Sequence, residues 1–305
     1  MEYVLKTMGV GKNYHSFKAL ENLSLKVPKG AIYGFVGKNG AGKTTLLRII
    51  CGLQQPTYGE YILYGANSTD KEIVKARRRI GAVVETPSIY LEMTAKENLK
   101  QQYKILGLPS YHGLESILTM VGLSDTGKKK AKNFSLGMRQ RLGIAISLVG
   151  DPDFLILDEP TNGLDPQGII EIRELILKLN REYQITVLIS SHILGELSKF
   201  ATHYGFIDKG QLVKEISKEE LDEICGKYTR IEVNDMKAAT FVLDELGVEY
   251  RIISDTIVDV FAKLNISRLS LQLAKVDCEV LSLHEQEESL ESYYMSLVGG
   301  GESSE

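Results

Sequence analysis

The sequence contains no tryptophan, seven prolines and three cysteines, and these scarcities narrow the possibilities. Cys51, Cys225 and Cys278 are odd in number and widely spaced. This excludes a disulfide framework or a cysteine-based zinc site and agrees with a reducing compartment, each thiol reading as a small buried hydrophobe. The histidines His15, His112, His192, His203 and His284 stand at no metal-ligand spacing. Long hydrophobic runs are also missing. The apolar stretches at 142–149 and 185–189 fall well short of the ~18 to 20 residues that a membrane helix requires, so the chain is not expected to span a bilayer. Residues 1–7 carry Glu2 and Lys6 and lack the charged head and long apolar middle of a signal peptide. The expected location is the cytoplasm.

The chain has 305 residues, 43% apolar and 25% charged, enough for one large domain plus a small one with full cores. Its net charge of -4 conceals an asymmetry, because residues 218–305 hold 8 Lys/Arg against 19 Asp/Glu and leave 28 against 21 in residues 1–217. Two units of different composition are expected, with boundaries at 1–217 and 218–305. A basic first unit suits a nucleotide phosphate, an anionic membrane surface or nucleic acid, and charge alone leaves these open. The basic runs 77–79 and 128–130 with Lys132 lack interleaved aromatics for stacking bases. They read as solvated faces, and no nucleic-acid partner is expected.

Residues 32–36 form a short β-branched run closed by glycine and lead into an apolar-periodic stretch at 44–51, which predicts strand, tight loop and helix. The runs 154–157 and 185–189 do not alternate with polar residues and read as central parallel strands, with a helix over 166–180 between them. Residues 87–149 differ, with Leu99, Tyr103 and Leu106, then Leu114, Ile117, Leu118 and Val121, at helical spacing. This segment reads as a helical insert in an α/β domain. After 217, β-like runs at 229–233, 250–253, 257–262 and 280–283 alternate with helical stretches such as 236–246, predicting a small acidic α+β appendage. The Gly/Ser-rich end, 299–305, is expected to fray.

Gly37-Lys38-Asn39-Gly40-Ala41-Gly42-Lys43-Thr44 fits the phosphate-loop pattern G-x-x-x-x-G-K-[ST], between a predicted strand and a predicted helix. Gly37, Gly40 and Gly42 let backbone amides turn toward phosphate oxygens. The helix offers its positive N-terminus, Lys43 a point charge for the β and γ phosphates, and Thr44 a hydroxyl for Mg²⁺. The strand at 154–157 ends in Asp158 and Glu159, at the crevice where α/β sheets bind ligands. Asp158 is placed to hold Mg²⁺ through water, and Glu159 to orient or deprotonate an attacking water as general base.

Phe134-Ser135-Leu136-Gly137-Met138, followed by Arg139-Gln140-Arg141 and placed just before the acidic strand, resembles the signature motif of the ABC ATPases. The family's usual form has a second glycine where Leu136 stands and a glutamine where Met138 stands, while Ser135 and Gly137 match. The resemblance covers residues 1–217. It implies a P-loop NTPase (RecA-like) α/β core with the helical insert of the ABC type, binding ATP and Mg²⁺ through residues that include Asn39 and Thr45. Ser135 and Gly137 would contact the γ phosphate of an ATP held by a second subunit, in an ATP-dependent homodimer or heterodimer. Asn162-Gly163-Leu164-Asp165 resembles the family's interface-crossing loop. His192, after Ser190-Ser191, takes the place of its γ-phosphate-sensing histidine, and Tyr14, 23 residues ahead of Gly37, that of its adenine-stacking aromatic.

Glu85, in Val84-Glu85-Thr86-Pro87, stands where the family normally has a glutamine that touches Mg²⁺ and the transport partner. As a carboxylate it could either ligate the metal, the reading favoured here, or repel the phosphates. With the run 289–294 near the end, it resembles the bacitracin and lantibiotic type, which serves peptide-antibiotic export or self-immunity. The resemblance implies an ATPase on the inner face of the membrane that drives separate permease subunits. The alternative, a soluble ABC ATPase acting on nucleic acid or the ribosome, commonly carries duplicated cassettes, coiled coils or zinc modules, and the sequence shows none.

Overall fold

Buried apolar runs set the centre of the structure, a computed structural model that describes residues 2–224, 227–261, 266–287 and 290–299. The chain divides into two compact units, Met1–Lys218 and Glu219–Glu305. The first begins with β1 (Tyr3–Tyr14), β2 (Phe17–Leu23), β3 (Lys26–Pro28), β4 (Ile32–Val36) and α1 (Lys43–Ile50). It continues through β5 (Tyr58–Leu63), β6 (Ala66–Asn67), α2 (Ile73–Arg77) and β7 (Ile80–Val83) to the insert helices α3 (Ala95–Ile105), α4 (Leu114–Met120) and α5 (Leu136–Ser147). Then come β8 (Phe154–Asp158), α6 (Pro166–Tyr183), β9 (Thr186–Ser191), α7 (Leu194–Leu197), β10 (His203–Asp208) and β11 (Gln211–Ser217).

The central sheet runs in the order β11-β10-β4-β9-β8-β7. Its strands from β10 to β7 are parallel, and β11 adds an antiparallel edge. Parallel strands are covered on both faces, and accordingly every residue of β4, β8 and β9 is buried. Because the strands share one direction, the segments leaving β4, β7, β8 and β9 emerge at one edge of the sheet. Residues 37–44, Glu85, Glu159 and His192 all lie on those segments. A second sheet, β2-β1-β5-β6 with β3 on β1, packs its buried residues with those of α1 and the central sheet; Leu5, Leu20, Tyr33, Phe35, Leu46, Leu47 and Ile156 share one core.

In the insert, α3 starts with a capping box between Thr94 and Glu97. Leu99, Tyr103, Leu114, Leu118 and Val121 are buried as the helical spacing predicts. Leu106 is not: α3 ends at Ile105 and Leu106 is its C-cap, left exposed. In the basic run at 77–79, Arg78 and Arg79 are exposed as a solvated face would be, and only Arg77 is half-buried. Arg77 donates to the buried Tyr61 hydroxyl through Nε at 3.1 Å. Arg79 pairs with Asp153 and lies 3.5 Å from the Tyr64 ring centroid.

The second unit contains α8 (Lys218–Ile224), β12 (Lys227–Val233), α9 (Met236–Leu246), β13 (Tyr250–Ile252), β14 (Ile257–Val260), α10 (Ile266–Ala274), β15 (Val280–Glu287) and α11 (Leu290–Gly299). Its sheet runs β13-β14-β12-β15 with every neighbour antiparallel, and two helices interleave with the strands as in a split βαβ fold. Ile231, Val233, Val242, Leu243, Val258, Val260, Leu269 and Leu273 form its own core. Cys225, Ala262, Ser289 and residues 300–305 lie outside the described residues. Among the described residues no helix is long and apolar enough to cross a membrane.

Candidate active site

The loop from β4 to α1 needs glycine for two reasons. Gly40 and Gly42 take left-handed backbone angles, with φ of 82° and 110°. A Cβ on Gly42 would sit 2.5 Å from the Ala19 carbonyl oxygen, and one on Gly37 2.4 Å from that of Ile207. Beside Gly40 the space is open. α1 begins without a side-chain cap or an acidic residue in its first turn, which leaves its N-terminal amides and dipole available to an anion. Lys43 is buried, and its Nζ donates to the carbonyl oxygens of Gly37 at 2.6 Å and Lys38 at 3.2 Å. Its counter-charge is Glu159, whose Oε1 lies 3.1 Å away.

The two carboxylates at the end of β8 have different partners. Asp158 is buried, accepts from Thr44 Oγ1 at 2.8 Å on one oxygen and from Ser190 Oγ at 2.5 Å on the other. Glu159 leaves the strand at φ 48°, a left-handed conformation unfavourable for a glutamate. Its amide is held by Ser190, donating to the hydroxyl at 2.9 Å and to the carbonyl at 3.2 Å. Its side chain lies between Lys43 and His192, whose Nδ1 is 2.7 Å from Oε2. Lys43, Thr44, Asp158, Glu159 and His192 therefore form one hydrogen-bonded set. Ser190, which sequence reasoning missed, joins its two carboxylates; the signal was a hydroxyl ending an otherwise apolar strand.

A cavity of about 280 Å³ opens on this set, lined by Asn39, Gly40, Gly42, Lys43, Thr44, Thr45 and Glu159, and also by Phe17 and Ala19. Tyr14 does not line it. Its hydroxyl is bonded to Gln54, and Lys12 Nζ lies 5.3 Å from its ring centroid. Tyr14 and Phe17 are register partners across the β1–β2 turn, so both aromatics belong to one face of the hairpin. A larger cavity, about 650 Å³, lies at the opposite ends of β8 and β9, against Asp153 and Ile185, and contains no motif residue. Size alone does not mark the site.

Besides Tyr14, three more of the candidate residues stand apart. Ser135 is the N-cap of α5, its oxygen accepting from the Met138 amide at 3.2 Å. Gly137 faces the start of α6, where an added Cβ would lie 3.9 Å from Leu164 Cδ2. Neither lines the cavity. Glu85, at φ 65°, is ion-paired with Arg48 and lies outside the hydrogen-bonded set.

The glycine cradle, the buried lysine and the threonine–aspartate pair fit a nucleoside triphosphate and its metal. Among the described residues no three His, Cys, Asp or Glu side chains cluster to hold an ion, so a cation here would rely on phosphate oxygens beside Thr44 and Asp158, as Mg²⁺ does. Fold and site define a phosphate-loop nucleoside triphosphatase. Residues 20–162 fit the ABC transporter family. The chain is 41% identical to the bacitracin transport ATP-binding protein BcrA of Bacillus licheniformis, over 99% of both chains. It is 42% identical to the lantibiotic transport ATP-binding protein SrtF of Streptococcus pyogenes, over 75% of this chain and 99% of that one. A dimeric ATP-binding cassette, solved in a post-hydrolysis state with ADP and Pi, superposes with a TM-score of 0.63 at 28% identity, over 70% of this chain and 98% of that one. The chain belongs to the ATP-binding subunits of ABC transporters, which bind and hydrolyse ATP.

Proposed function

We propose that this ATPase powers a membrane transporter of a peptide antibiotic, in export or self-immunity, from the cytoplasmic face and through separate permease subunits. The observation that carries the cargo class is the match to a bacitracin transport protein along 99% of both chains. Residues 1–217 serve as the motor domain. The loop at 37–44 and Lys43 bind the triphosphate, and Phe17 joins Tyr14 as an aromatic for the base. Thr44 and Asp158 would hold Mg²⁺, which supplies positive charge to the β and γ phosphates. Glu159 accepts the proton of the attacking water, with His192 on its Oε2 orienting it. Ser135 and Gly137, absent from this chain's own cavity, serve the nucleotide of a second ABC subunit.

The test is resistance in cells. Co-expressing the chain with its permease is expected to raise the bacitracin or lantibiotic concentration that stops growth, and Glu159→Gln is expected to remove that protection. Full protection by Glu159→Gln would overturn ATP-driven transport. Protection against neither peptide class would overturn the cargo.

A further inference from the structure

Glu85 adds a carboxylate to an edge built to receive a polyanion. It lies two residues beyond β7, whose Val83 is in register with Leu157 of β8, the residue before Asp158. It thus emerges on the strand next to Asp158 and Glu159. An uncompensated negative charge here opposes binding of a triphosphate, with the modest strength of a half-exposed carboxylate.

The compensating cation comes from α1. Arg48 lies in the last turn of the helix that begins at the phosphate loop, and its guanidinium is ion-paired with Glu85 Oε1. The hydrogen bond to Glu85 first, and then the charges of Glu85 and Asp158, hold that guanidinium in its charged form, with burial opposing them. Arg48 therefore joins the helix that follows the phosphate loop to the turn that carries Glu85. The Glu85 backbone is in the left-handed region, at φ 65°, which fixes the direction in which its side chain leaves the turn.

We infer that Arg48 is a positioning residue for ATP hydrolysis: it neutralises Glu85 and turns its carboxylate away from the phosphates. The paired side chains present the site with the net charge that a neutral amide would. This inference rests on the nucleotide-binding reading of the site.

Removing the cation releases the carboxylate toward the nucleotide. Arg48→Gln is expected to raise KM for ATP about five- to tenfold, the size of one close repulsion at an exposed site where the dielectric is near that of water. The double variant Arg48→Gln with Glu85→Gln is expected to return KM to within about twofold of the parent, since removing both charges removes the repulsion. Arg48→Lys, which keeps the charge, should remain near the parent. Steady-state ATPase assays on the full chain at saturating Mg²⁺ read these values, with thermal unfolding as a check that each variant folds.

An unchanged KM in Arg48→Gln would overturn the inference. So would a folded double variant no better than Arg48→Gln, which would give Arg48 a merely structural role. With Mg²⁺ titrated at fixed ATP, a double variant that needs more Mg²⁺ than Arg48→Gln would overturn it in favour of Glu85 as a metal ligand. Lys43→Ala and Glu159→Gln in the same assay separate the two levels. If they leave hydrolysis intact, the active-site assignment fails. If they abolish it while the rescue is absent, only the role of Arg48 fails.

Discussion

At the scale of single residues, the site depends on one strained position. A glutamate in the left-handed region costs of order 1 kcal/mol or more, and Glu159 is held there by the Ser190 hydroxyl and carbonyl. The same hydroxyl donates to Asp158. Ser190→Ala is therefore expected to lower kcat about tenfold or more, since a lost hydrogen bond to a charged group costs ~1.5 to 3 kcal/mol. Ser190→Thr should recover much of this, because its hydroxyl can occupy the same place. An alanine variant with parental kcat would show that Ser190 only fills space. Lys43, Thr44, Asp158 and Glu159 were legible in the sequence because their spacing along the chain is fixed by loop or strand geometry, and His192 only through the resemblance to the family's motif order. Phe17, Ala19, Ser190 and Arg48 were not legible. They come from a hairpin, a neighbouring strand and the far end of a helix, and apart from the Ser190 hydroxyl near the end of an apolar strand their local sequence carries no corresponding pattern.

Elements transmit these positions through close packing. α5 passes the turn that carries Glu85 at Gly143, where an added Cβ would lie 2.6 Å from Pro87 Cβ. Two effects oppose each other in Gly143→Ala. Helix propensity favours alanine by about 1 kcal/mol, while overpacking costs about 1 to 3 kcal/mol. The contact is with a rigid proline ring, so packing is expected to win, giving a net loss of about 1 kcal/mol in denaturant unfolding. A more stable variant would show that the turn yields freely to α5. Periodicity gave the strands of the phosphate loop and the acidic pair, β4, β8 and their neighbour β9, from unbroken apolar runs, and α3, α4 and α6 from helical spacing. The antiparallel sheet of β1, β2, β3, β5 and β6, whose apolar residues are mixed with exposed polar ones, and the strands β7, β10 and β11 were not read. Periodicity overran α3 at Leu106, because an apolar residue at the right interval looks the same inside a helix as one step past its end.

At the scale of the molecule, the acidic second unit has its own core, and every residue of the proposed active site precedes it. The lantibiotic relative is matched along 99% of its length by 75% of this chain, so an ATP-binding subunit of this kind exists without an equivalent of the remaining quarter. Charge is one route by which residues 218–305 could influence the chemistry, with 19 Asp/Glu against 8 Lys/Arg. Fields from exposed charges are screened beyond about 8 Å at physiological ionic strength and beyond about 30 Å at 0.01 M. A chain ending at Lys218 is therefore expected to bind ATP within about twofold of the full chain at physiological salt, and to bind it more tightly than the full chain only when salt is lowered. Titration of both chains with a fluorescent ATP analogue at two ionic strengths, with circular dichroism confirming that the shorter one folds, provides the comparison. A folded chain ending at Lys218 that had lost nucleotide binding at physiological salt would place part of the active site in the second unit. Tighter binding that persisted at high salt would point to a direct contact with the nucleotide site in place of a long-range field.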